Sequence, residues 1–271
     1  MSDDLLANVT GNDWDEFYAQ PGTEIQQLID QSICGCEYDG SSWTNAAEAL
    51  ELAALMKLDV DSHLLDIGSG AGWPALFQAS NTGCRITLTD ISGEGLKAAA
   101  QKASDGGLGD RCETILTGAE KLPFASGHFD AIGHADVLCC LEEKLEALGE
   151  CRRVIRDGGI MAFSVIHMRP GASDEETREA ADAGPSLLGA PADYPAMLEQ
   201  TGWNIEAYSD ITAGYAGILE NLQQQYELNA AEICAQRSEE RYREFLAKCQ
   251  AKRKVVTQSS VLRSLFTVTP A

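Results

Sequence analysis

The chain has 271 residues, of which 42 are acidic and 20 are basic, so its formal net charge at pH 7 is −22. This negative surplus argues against nucleic acid as a partner, because a protein that binds nucleic acid needs a positive surface to displace counterions from the phosphates. Hydrophobic residues make up 44% of the sequence, which is typical of one globular domain, and no run reaches the ~18 apolar residues of a membrane helix, so no membrane partner is expected.

The N-terminal region, residues 1–58, is acidic and contains an aromatic repeat. Its first ten residues carry two aspartates where an export or import signal would carry positive charge, so we expect a cytoplasmic protein. Trp14, Phe17 and Tyr18 recur at helical spacing. This spacing predicts an amphipathic helix that packs on the rest of the protein.

Residues 59–168 alternate between strand and helix patterns. Predicted strands lie at HLLDIG, CRITLTD, CETILTG, FDAIGHAD and GGIMAFSVIH, and helical segments such as GEGLKAAAQKA and EKLEALGECRRVI separate them. This rhythm predicts βαβ units that build a parallel sheet covered by helices on both faces. In such sheets a ligand binds beyond the carboxyl ends of the strands, near the point where the strand order reverses.

A glycine-rich turn follows the first of these strands. Gly68, Gly70 and Gly72 let the backbone turn sharply and approach a nucleoside closely, and the next helix directs its N–H groups toward the ligand. Asp90 ends the following strand, where its carboxylate can accept hydrogen bonds from both ribose hydroxyls. A nicotinamide-dependent enzyme would need another glycine where Trp73 stands, so that alternative is disfavoured.

Several motifs occur in a fixed order, namely LLDIGSGAG, TD, GAEKLPF, FDAI and RVIRDGG. In this order they resemble the class I S-adenosylmethionine-dependent methyltransferases over residues 60–165. The resemblance implies an α/β fold, a Rossmann-like doubly wound seven-stranded sheet that is mostly parallel, whose antiparallel last strand residues 261–270 can supply. It also implies an N-terminal helical lid (1–58), a cofactor-binding core (59–168) and, in the same domain, a third part (169–271) with a substrate-covering insert and a helical insert before the last strand.

The same resemblance implies S-adenosylmethionine as the cofactor and assigns the residues that bind it. The glycine turn cradles the methionine part while Asp66 orients it, Asp90 holds the ribose and Ile91 lies against the adenine. Relatives often have aspartate at the position of Gly118, so the contact to the adenine amino group falls here to Glu120 or to a water molecule. The full set of assigned residues is Asp66, Gly68, Ser69, Gly70, Gly72, Asp90, Ile91, Ala119, Glu120 and His134.

Methyl transfer needs a nucleophile in line with the bond between sulfur and methyl, and little else, because the sulfonium is a good leaving group. One base or substrate anchor is enough, and the candidates are His134, Asp136 and His167. Each histidine has a structural alternative, since His134 can face the cofactor through its backbone and His167 can simply end a strand. The residues expected to bind the substrate are Trp14, Tyr18, Cys140, Arg169 and Tyr215.

The region after residue 203 resembles, more loosely, the glycine and sarcosine N-methyltransferases. That resemblance implies a small-molecule acceptor with an amine nitrogen, which Asp210, Thr212 and Tyr215 approach. Acceptors that take the methyl group on oxygen, carbon or sulfur, such as phenols, quinols and thiols, remain open. A protein that binds the cofactor without catalysis also remains open, and a monomer or homodimer is expected.

The cysteines raise one further alternative. The nine cysteines are an odd number without the spacing of a disulfide scaffold, so we expect reduced thiols. Cys139 and Cys140, together with Cys34 and Cys36, make arsenite a minor alternative acceptor, because thiolates bind trivalent arsenic. Free cysteine is more often a small buried apolar side chain, and this spacing does not predict a metal site.

The C-terminal third carries a helical and a basic pattern. Residues 217–253 predict one long helix, because Ile218, Leu222 and Tyr226 fall near one stripe. Residues 236–263 contain eight basic and three acidic side chains that alternate at helical spacing. That alternation predicts a helix that faces solvent.

Overall fold

The computed structural model describes residues 13–19, 23–35, 42–185 and 187–271. A central seven-stranded sheet runs through this part of the chain. β7 pairs antiparallel with both of its neighbours, and the other pairings are parallel. The seven strands are β1 (His63–Ile67), β2 (Arg85–Asp90), β3 (Cys112–Leu116), β4 (Phe129–Ala135), β5 (Ile155–Met168), β6 (Trp203–Asp210) and β7 (Val261–Pro270). Their order, β3-β2-β1-β4-β5-β7-β6, confirms the predicted seven-stranded, mostly parallel sheet with an antiparallel last strand.

Both faces of the sheet are buried. Leu64 and Leu65, adjacent in β1, belong to different apolar clusters, and so do Ala131 and Ile132 in β4. Because successive strand residues point to opposite faces, each cluster covers one face. The helices in the described regions are α1 (Asp13–Ala19), α2 (Glu24–Cys34), α3 (Ala46–Leu55), α4 (Ala75–Thr82), α5 (Gly93–Asp105), α6 (Lys144–Val154), α7 (Asp174–Ala183), α8 (Tyr194–Gln200), α9 (Thr212–Leu228), α10 (Ala230–Gln236) and α11 (Glu239–Thr257).

The single long helix expected over residues 217–253 is wrong, because α9, α10 and α11 replace it. The Nδ2 atom of Asn229 donates to the Gln225 carbonyl at the end of α9, and the Ser238 hydroxyl accepts from the Arg241 N–H at the start of α11. The chain then folds back, so that the rings of Tyr226 and Phe245 stack with centroids 3.6 Å apart. Packing α9 against α11 buries the apolar stripe of both helices.

The strand order reverses between β1 and β4, where β2 lies on one side of β1 and β5 lies beyond β4. At such a reversal the connections leave the sheet in opposite directions and open a crevice at the carboxyl ends of the strands. The predicted ligand site is therefore expected beyond Ile67 and Ala135. None of the helices in the described ranges is both long enough and apolar enough to cross a membrane.

Candidate active site

A cleft opens at this reversal, and we refer to it as the main cleft. One half lies over the ends of β1 and β2 and is lined by Gly68, Asp90 and Ile91. The other half lies over the ends of β4 and β5 and is lined by Asp136 and Ile166. Its empty volume, counting the open mouth, is about 1200 Å³, which is large enough for a nucleoside-sized ligand beside a second small molecule.

The glycine turn, residues 68–72, needs its glycines for two reasons. Gly68, Gly70 and Gly72 have φ angles of +65°, +49° and +93°, in the left-handed region where a side chain is strained. A Cβ on Gly68 would also stand 2.5 Å from Val137 Cγ2, and one on Gly70 would collide with the hydroxyl of Tyr18. The turn is thus enclosed by neighbours that leave room for backbone alone.

Asp66 and Ser69 lie behind the turn. The Ser69 hydroxyl donates to the Asp66 carbonyl at 3.0 Å and accepts from the Thr89 N–H at 3.1 Å, so it ties the turn to β1 and β2. Asp66 is buried, and burial raises the pKa of its carboxyl to about 7. Both predicted residues therefore support the turn, whereas the surface of the cleft is formed by Gly68 and its neighbours.

Asp90 stands at the end of β2 with its carboxylate in the main cleft. Its Oδ2 atom accepts from the Gly70 N–H at 2.7 Å, and its Oδ1 atom accepts from the Ser92 N–H at 2.8 Å. Burial raises the pKa of this carboxyl. The two backbone donors fix the carboxylate at the rim of the glycine turn, with the half-exposed side chain of Ile91 beside it.

The predicted adenine end is formed by Ile91, Ala119 and Glu120. Ile91 and Ala119 line the main cleft. The Glu120 carboxylate lies over Gly118, because its Oε2 atom is 2.5 Å from the position that a Cβ on Gly118 would take. The Glu120 carboxylate thus occupies the space in which an aspartate at position 118 would begin.

Helix α1 forms one wall of the main cleft, since Trp14, Phe17 and Tyr18 all line it. The carboxylate of Asp15 holds this helix against α5, accepting from the Ser92 hydroxyl at 2.7 Å and from the backbone at the start of α5. The Ser92 hydrogen bond lowers the pKa of Asp15. Two of the predicted substrate-binding residues, Trp14 and Tyr18, are thereby brought to the cleft.

Asp136 also lines the main cleft, but its carboxylate is already paired. Arg263 of β7, which is 0% exposed, donates from Nε to both carboxylate oxygens at 3.1 and 3.0 Å. The same guanidinium donates to Glu48 of α3 at 2.9 Å and to the Ser164 hydroxyl at 3.2 Å. Asp136 has a φ of +56°, a strained conformation for aspartate that this pairing holds in place.

Neither candidate histidine is among the residues that line the main cleft. The ring of His134 is buried against Phe163 at 4.5 Å, both ring nitrogens lack a partner in the described structure, and burial lowers its pKa to about 3. His167 contacts the Ser264 hydroxyl at 2.8 Å and lines a second cavity with Tyr208. Burial lowers the pKa of His167 as well. Of the three candidate bases, the structure brings only Asp136 to the cleft.

The remaining predicted substrate residues divide in the same way. Cys140 lines the main cleft. Arg169 instead pairs with Glu176 at 2.7 Å, and Tyr215 is completely buried beneath Trp43, with ring centroids 5.4 Å apart. Asp210 and Thr212, also expected near the substrate, are not among the residues that line the main cleft. The Asp210 carboxylate instead accepts from the Thr212 N–H at 2.9 Å.

The cysteine pairs do not assemble into a thiol site within the described ranges. The sulfur atoms of Cys139 and Cys140 are 4.0 Å apart, and both thiols donate to the Asp136 carbonyl. Cys34 lies apart from them in a small cluster with Trp73, and Cys36 falls outside the described residues. Among the described side chains, no three or more histidine, cysteine or carboxylate groups come together as metal ligands.

Sequence reasoning missed Lys252 of α11, which lines the main cleft and is only 4% exposed. Its Nζ atom lies 5.4 Å from the ring centroid of Trp43, another residue that was missed. The predicted solvent-facing helix is therefore wrong at this position. A signal was present, because Phe245, Cys249, Lys252 and Val256 follow helical spacing, and all four are buried.

Comparison with protein families gives one match, a family described as "Methyltransferase domain", over residues 65–163. Among curated proteins, the methyltransferase GfsG of Streptomyces halstedii is 28% identical over 208 residues, covering 73% of this chain and 74% of that protein. The 27-O-demethylrifamycin SV methyltransferase of Amycolatopsis mediterranei is 24% identical, covering 68% and 72%. A sarcosine/dimethylglycine N-methyltransferase of Halorhodospira halochloris is 28% identical over 108 residues, covering 40% and 39%.

Solved structures share the fold. A phosphoethanolamine N-methyltransferase of Haemonchus contortus with bound S-adenosyl-L-methionine superposes with a TM-score of 0.79 at 18% identity, covering 97% of this chain and 60% of that one. The [4+2]-cyclase SpnF gives 0.72 at 23% identity, covering 92% and 98%. A geranyl diphosphate C-methyltransferase of Streptomyces coelicolor with bound S-adenosyl-L-homocysteine gives 0.73 at 13% identity, covering 98% and 100%. At these sequence identities the structural likeness shows the fold alone.

Proposed function

This chain belongs to the class I S-adenosylmethionine-dependent methyltransferases, and we propose that it methylates an ionisable hydroxyl, of the phenol or quinol class, on an apolar small molecule. The observation that carries the proposal is the charge balance in the half of the main cleft over β4 and β5. There both oxygens of the Asp136 carboxylate are engaged by Arg263, which also pairs with Glu48, while Lys252 makes no ion pair with a described carboxylate.

The other half of the cleft fits the cofactor. Gly68 presents its backbone to the cleft, in a turn whose left-handed φ angles favour glycine, and the Asp90 carboxylate is fixed at its rim by two backbone N–H groups. We assign the ribose to Asp90, the methionine part to the turn and the adenine to the pocket beside Ile91 and Ala119. S-Adenosylmethionine supplies an activated methyl group on a sulfonium, and the protein's task is to place an acceptor in line with it.

The acceptor half is suited to an apolar ring. Trp43 presents aromatic surface to this half of the cleft, and Leu141 and Ile166 add aliphatic surface. Such walls bind a flat apolar group and exclude water from the reacting atoms. Asp136 and Gly68 line the same cleft, which supports an acceptor bound beside the cofactor half.

An amine acceptor, expected from the sequence, has less support in this geometry. An amine reaches the protein largely as a cation, and a buried cation is stabilised by a free carboxylate nearby. At this end of the cleft, Asp136 is engaged by Arg263, and the charged side chain that remains is the lysine at position 252. A lysine that pairs with no described carboxylate opposes a second cation and favours an acceptor that carries or develops negative charge.

A matched acceptor screen tests the proposal. The full chain is incubated with methyl-labelled S-adenosylmethionine and, in parallel, with alkylphenols, quinols, alkylamines, alkylthiols and arsenite, and both labelled product and S-adenosylhomocysteine are counted. We expect phenols or quinols to yield the two products in equal amounts. Turnover confined to amines, thiols or arsenite contradicts the proposal, and cofactor binding without turnover on any of them favours a sensor.

A further inference from the structure

Lys252 is a buried cation that pairs with no acidic side chain in the described part of the chain. It is 4% exposed and lines the main cleft, and within the described ranges its Nζ atom makes neither an ion pair nor a hydrogen bond. Its recorded contact is with the ring of Trp43, at 5.4 Å. Burying an ammonium group costs free energy unless an anion or a polar group meets it, so this lysine lies where a ligand is expected to supply that group.

The groups that face Lys252 come from several elements. Cys139 and Cys140, in the turn after β4, line the same cleft and interact electrostatically with Lys252. Cys249 and Lys248 accompany it on α11, where the Cys249 thiol donates to the Leu219 carbonyl. The Nζ atom also lies over the ring of Trp43. None of these groups is a carboxylate, and burial is the main reason that the pKa of Lys252 falls to about 8.

We propose that Lys252 binds the acceptor's hydroxyl oxygen in the main cleft and takes up its proton, an assignment that rests on the proposed function. The neutral amine of Lys252 accepts the hydroxyl proton and becomes an ammonium, which then holds the oxyanion. One electron pair of that oxygen forms the new bond to the methyl carbon, and the bond between that carbon and sulfur breaks with its pair going to sulfur. The ammonium finally returns its proton to solvent, so one proton is released for each methyl group transferred.

Other charged groups near the acceptor are less able to do this. The Asp136 carboxylate is held by Arg263 through both oxygens, and protonating it would break that pair. Arg263 itself is surrounded by Glu48, Asp136 and Ser164, and a guanidinium stays protonated. Lys144 is also buried, but its Nζ atom donates to the carbonyls of Leu141 and Leu187. Lys252 alone among the described lysines combines a place in the main cleft with an amino group that makes no hydrogen bond to a described residue.

The test uses 4-nitrophenol as the probe, because its phenol and phenolate forms differ in visible absorbance. The full chain is saturated with S-adenosylhomocysteine, the probe is bound, and the pH midpoint of its ionisation is read by absorbance. Four proteins are compared: wild type, Lys252→Met, Lys252→Arg and Lys248→Met. Lys248 lies one turn away on the same helix and is exposed, so its variant controls for loss of one positive charge.

We expect the wild type and Lys248→Met to lower the midpoint of the bound probe by about one pH unit, a tenfold preference for the phenolate. Lys252→Met should abolish this shift, since the probe then ionises in a buried site without a cation. Lys252→Arg should keep the shift, because the charge remains, and yet reduce kcat about 100-fold on a turned-over phenol with KM little changed, because arginine does not accept the proton.

An equal midpoint in wild type and Lys252→Met overturns the assignment, and so does a wild type loaded with S-adenosylhomocysteine that fails to bind the probe. A separate titration with S-adenosylhomocysteine alone tells the two proposals apart. If that product does not bind, the proposed function fails as well. If S-adenosylhomocysteine binds equally to all four proteins, the variants are folded. A negative result with the probe then contradicts the assignment of Lys252 alone.

Discussion

Arg263 Nε lies 3.1 and 3.0 Å from the two carboxylate oxygens of Asp136, which joins the last strand of the sheet to the residue that follows β4. The pair is buried and also includes Glu48 of α3, whose carboxyl pKa is raised by burial although Arg263 opposes that effect. One guanidinium thus fixes a wall of the main cleft from three elements that are distant in the sequence.

Replacing Arg263 is therefore expected to destabilise the protein strongly. Arg263→Met leaves the carboxylates of Asp136 and Glu48 buried without a partner, which costs about 3–5 kcal/mol of the free energy of unfolding. Urea denaturation measures the change. Arg156→Met is the control, because Arg156 pairs with Asp130 at the surface and its loss should cost about 1 kcal/mol or less. Equal effects of the two substitutions would show that the Arg263 pair does not stabilise the fold.

Asp90 should govern cofactor affinity. Asp90→Asn removes the negative charge that we assign to the ribose hydroxyls while keeping the size of the side chain, and the affinity for S-adenosylhomocysteine should fall about tenfold or more. Isothermal titration calorimetry measures it. Asp110→Asn, at an exposed position of the same domain, should leave the affinity unchanged. Equal affinities of the two variants for S-adenosylhomocysteine would contradict the assignment of the ribose to Asp90.

Glu120 is expected to contribute to adenine binding in place of an aspartate at position 118. Glu120→Ala should weaken S-adenosylhomocysteine binding by about threefold to tenfold, the value of one hydrogen bond. Gly118→Asp should recover the loss only in the Glu120→Ala background, because in the wild type the Glu120 carboxylate occupies that space. Calorimetry on the single and double variants checks both statements. A double variant no tighter than Glu120→Ala would contradict the exchange of roles.

Local patterns of the sequence predicted the alternating strands and helices and the positions of the glycine turn and Asp90, and the family resemblance supplied the seven-stranded sheet with its antiparallel last strand. The apolar strand before Gly68 and the position of Asp90 depend on short-range spacing, and the structure places both at the end of neighbouring strands. Asp136 and Arg263 are 127 residues apart, and no local pattern predicts that they pair. Charge alternation predicts an exposed helix around Lys252 and conceals the place of this residue on the buried stripe. The break of the long helix likewise follows from the packing of Tyr226 on Phe245.

His134 should make stability depend on pH. Its pKa in the folded protein is about 3, against an ordinary value of 6.5, so as the pH falls below 6.5 the unfolded chain takes up the proton first. Proton uptake by the unfolded chain lowers the free energy of unfolding by about 1.4 kcal/mol for each pH unit between pH 6.5 and about 3. Above pH 6.5 the histidine is neutral in both states, and this destabilisation is absent. Denaturation at several pH values should show that His134→Leu loses this part of the slope.

Phe163→Leu provides the matched control, because Phe163 stacks on His134 but does not titrate. It should lower stability by a similar amount at every pH and keep the wild-type slope. If His134→Leu has the same slope as the wild type, the ring of His134 is able to protonate in the folded protein, and its assignment as a buried neutral histidine is wrong.

The most direct measurement compares kcat/KM for an alkylphenol and for the alkylamine of the same carbon skeleton, with saturating S-adenosylmethionine and the wild-type chain. The ammonium of Lys252, which pairs with no described carboxylate, and the engagement of the Asp136 carboxylate by Arg263 predict that the phenol is methylated at least about 100-fold more efficiently, since a second cation in the cleft costs several kcal/mol. An amine that is methylated as well as or better than its phenol would contradict the charge balance on which the oxygen acceptor rests.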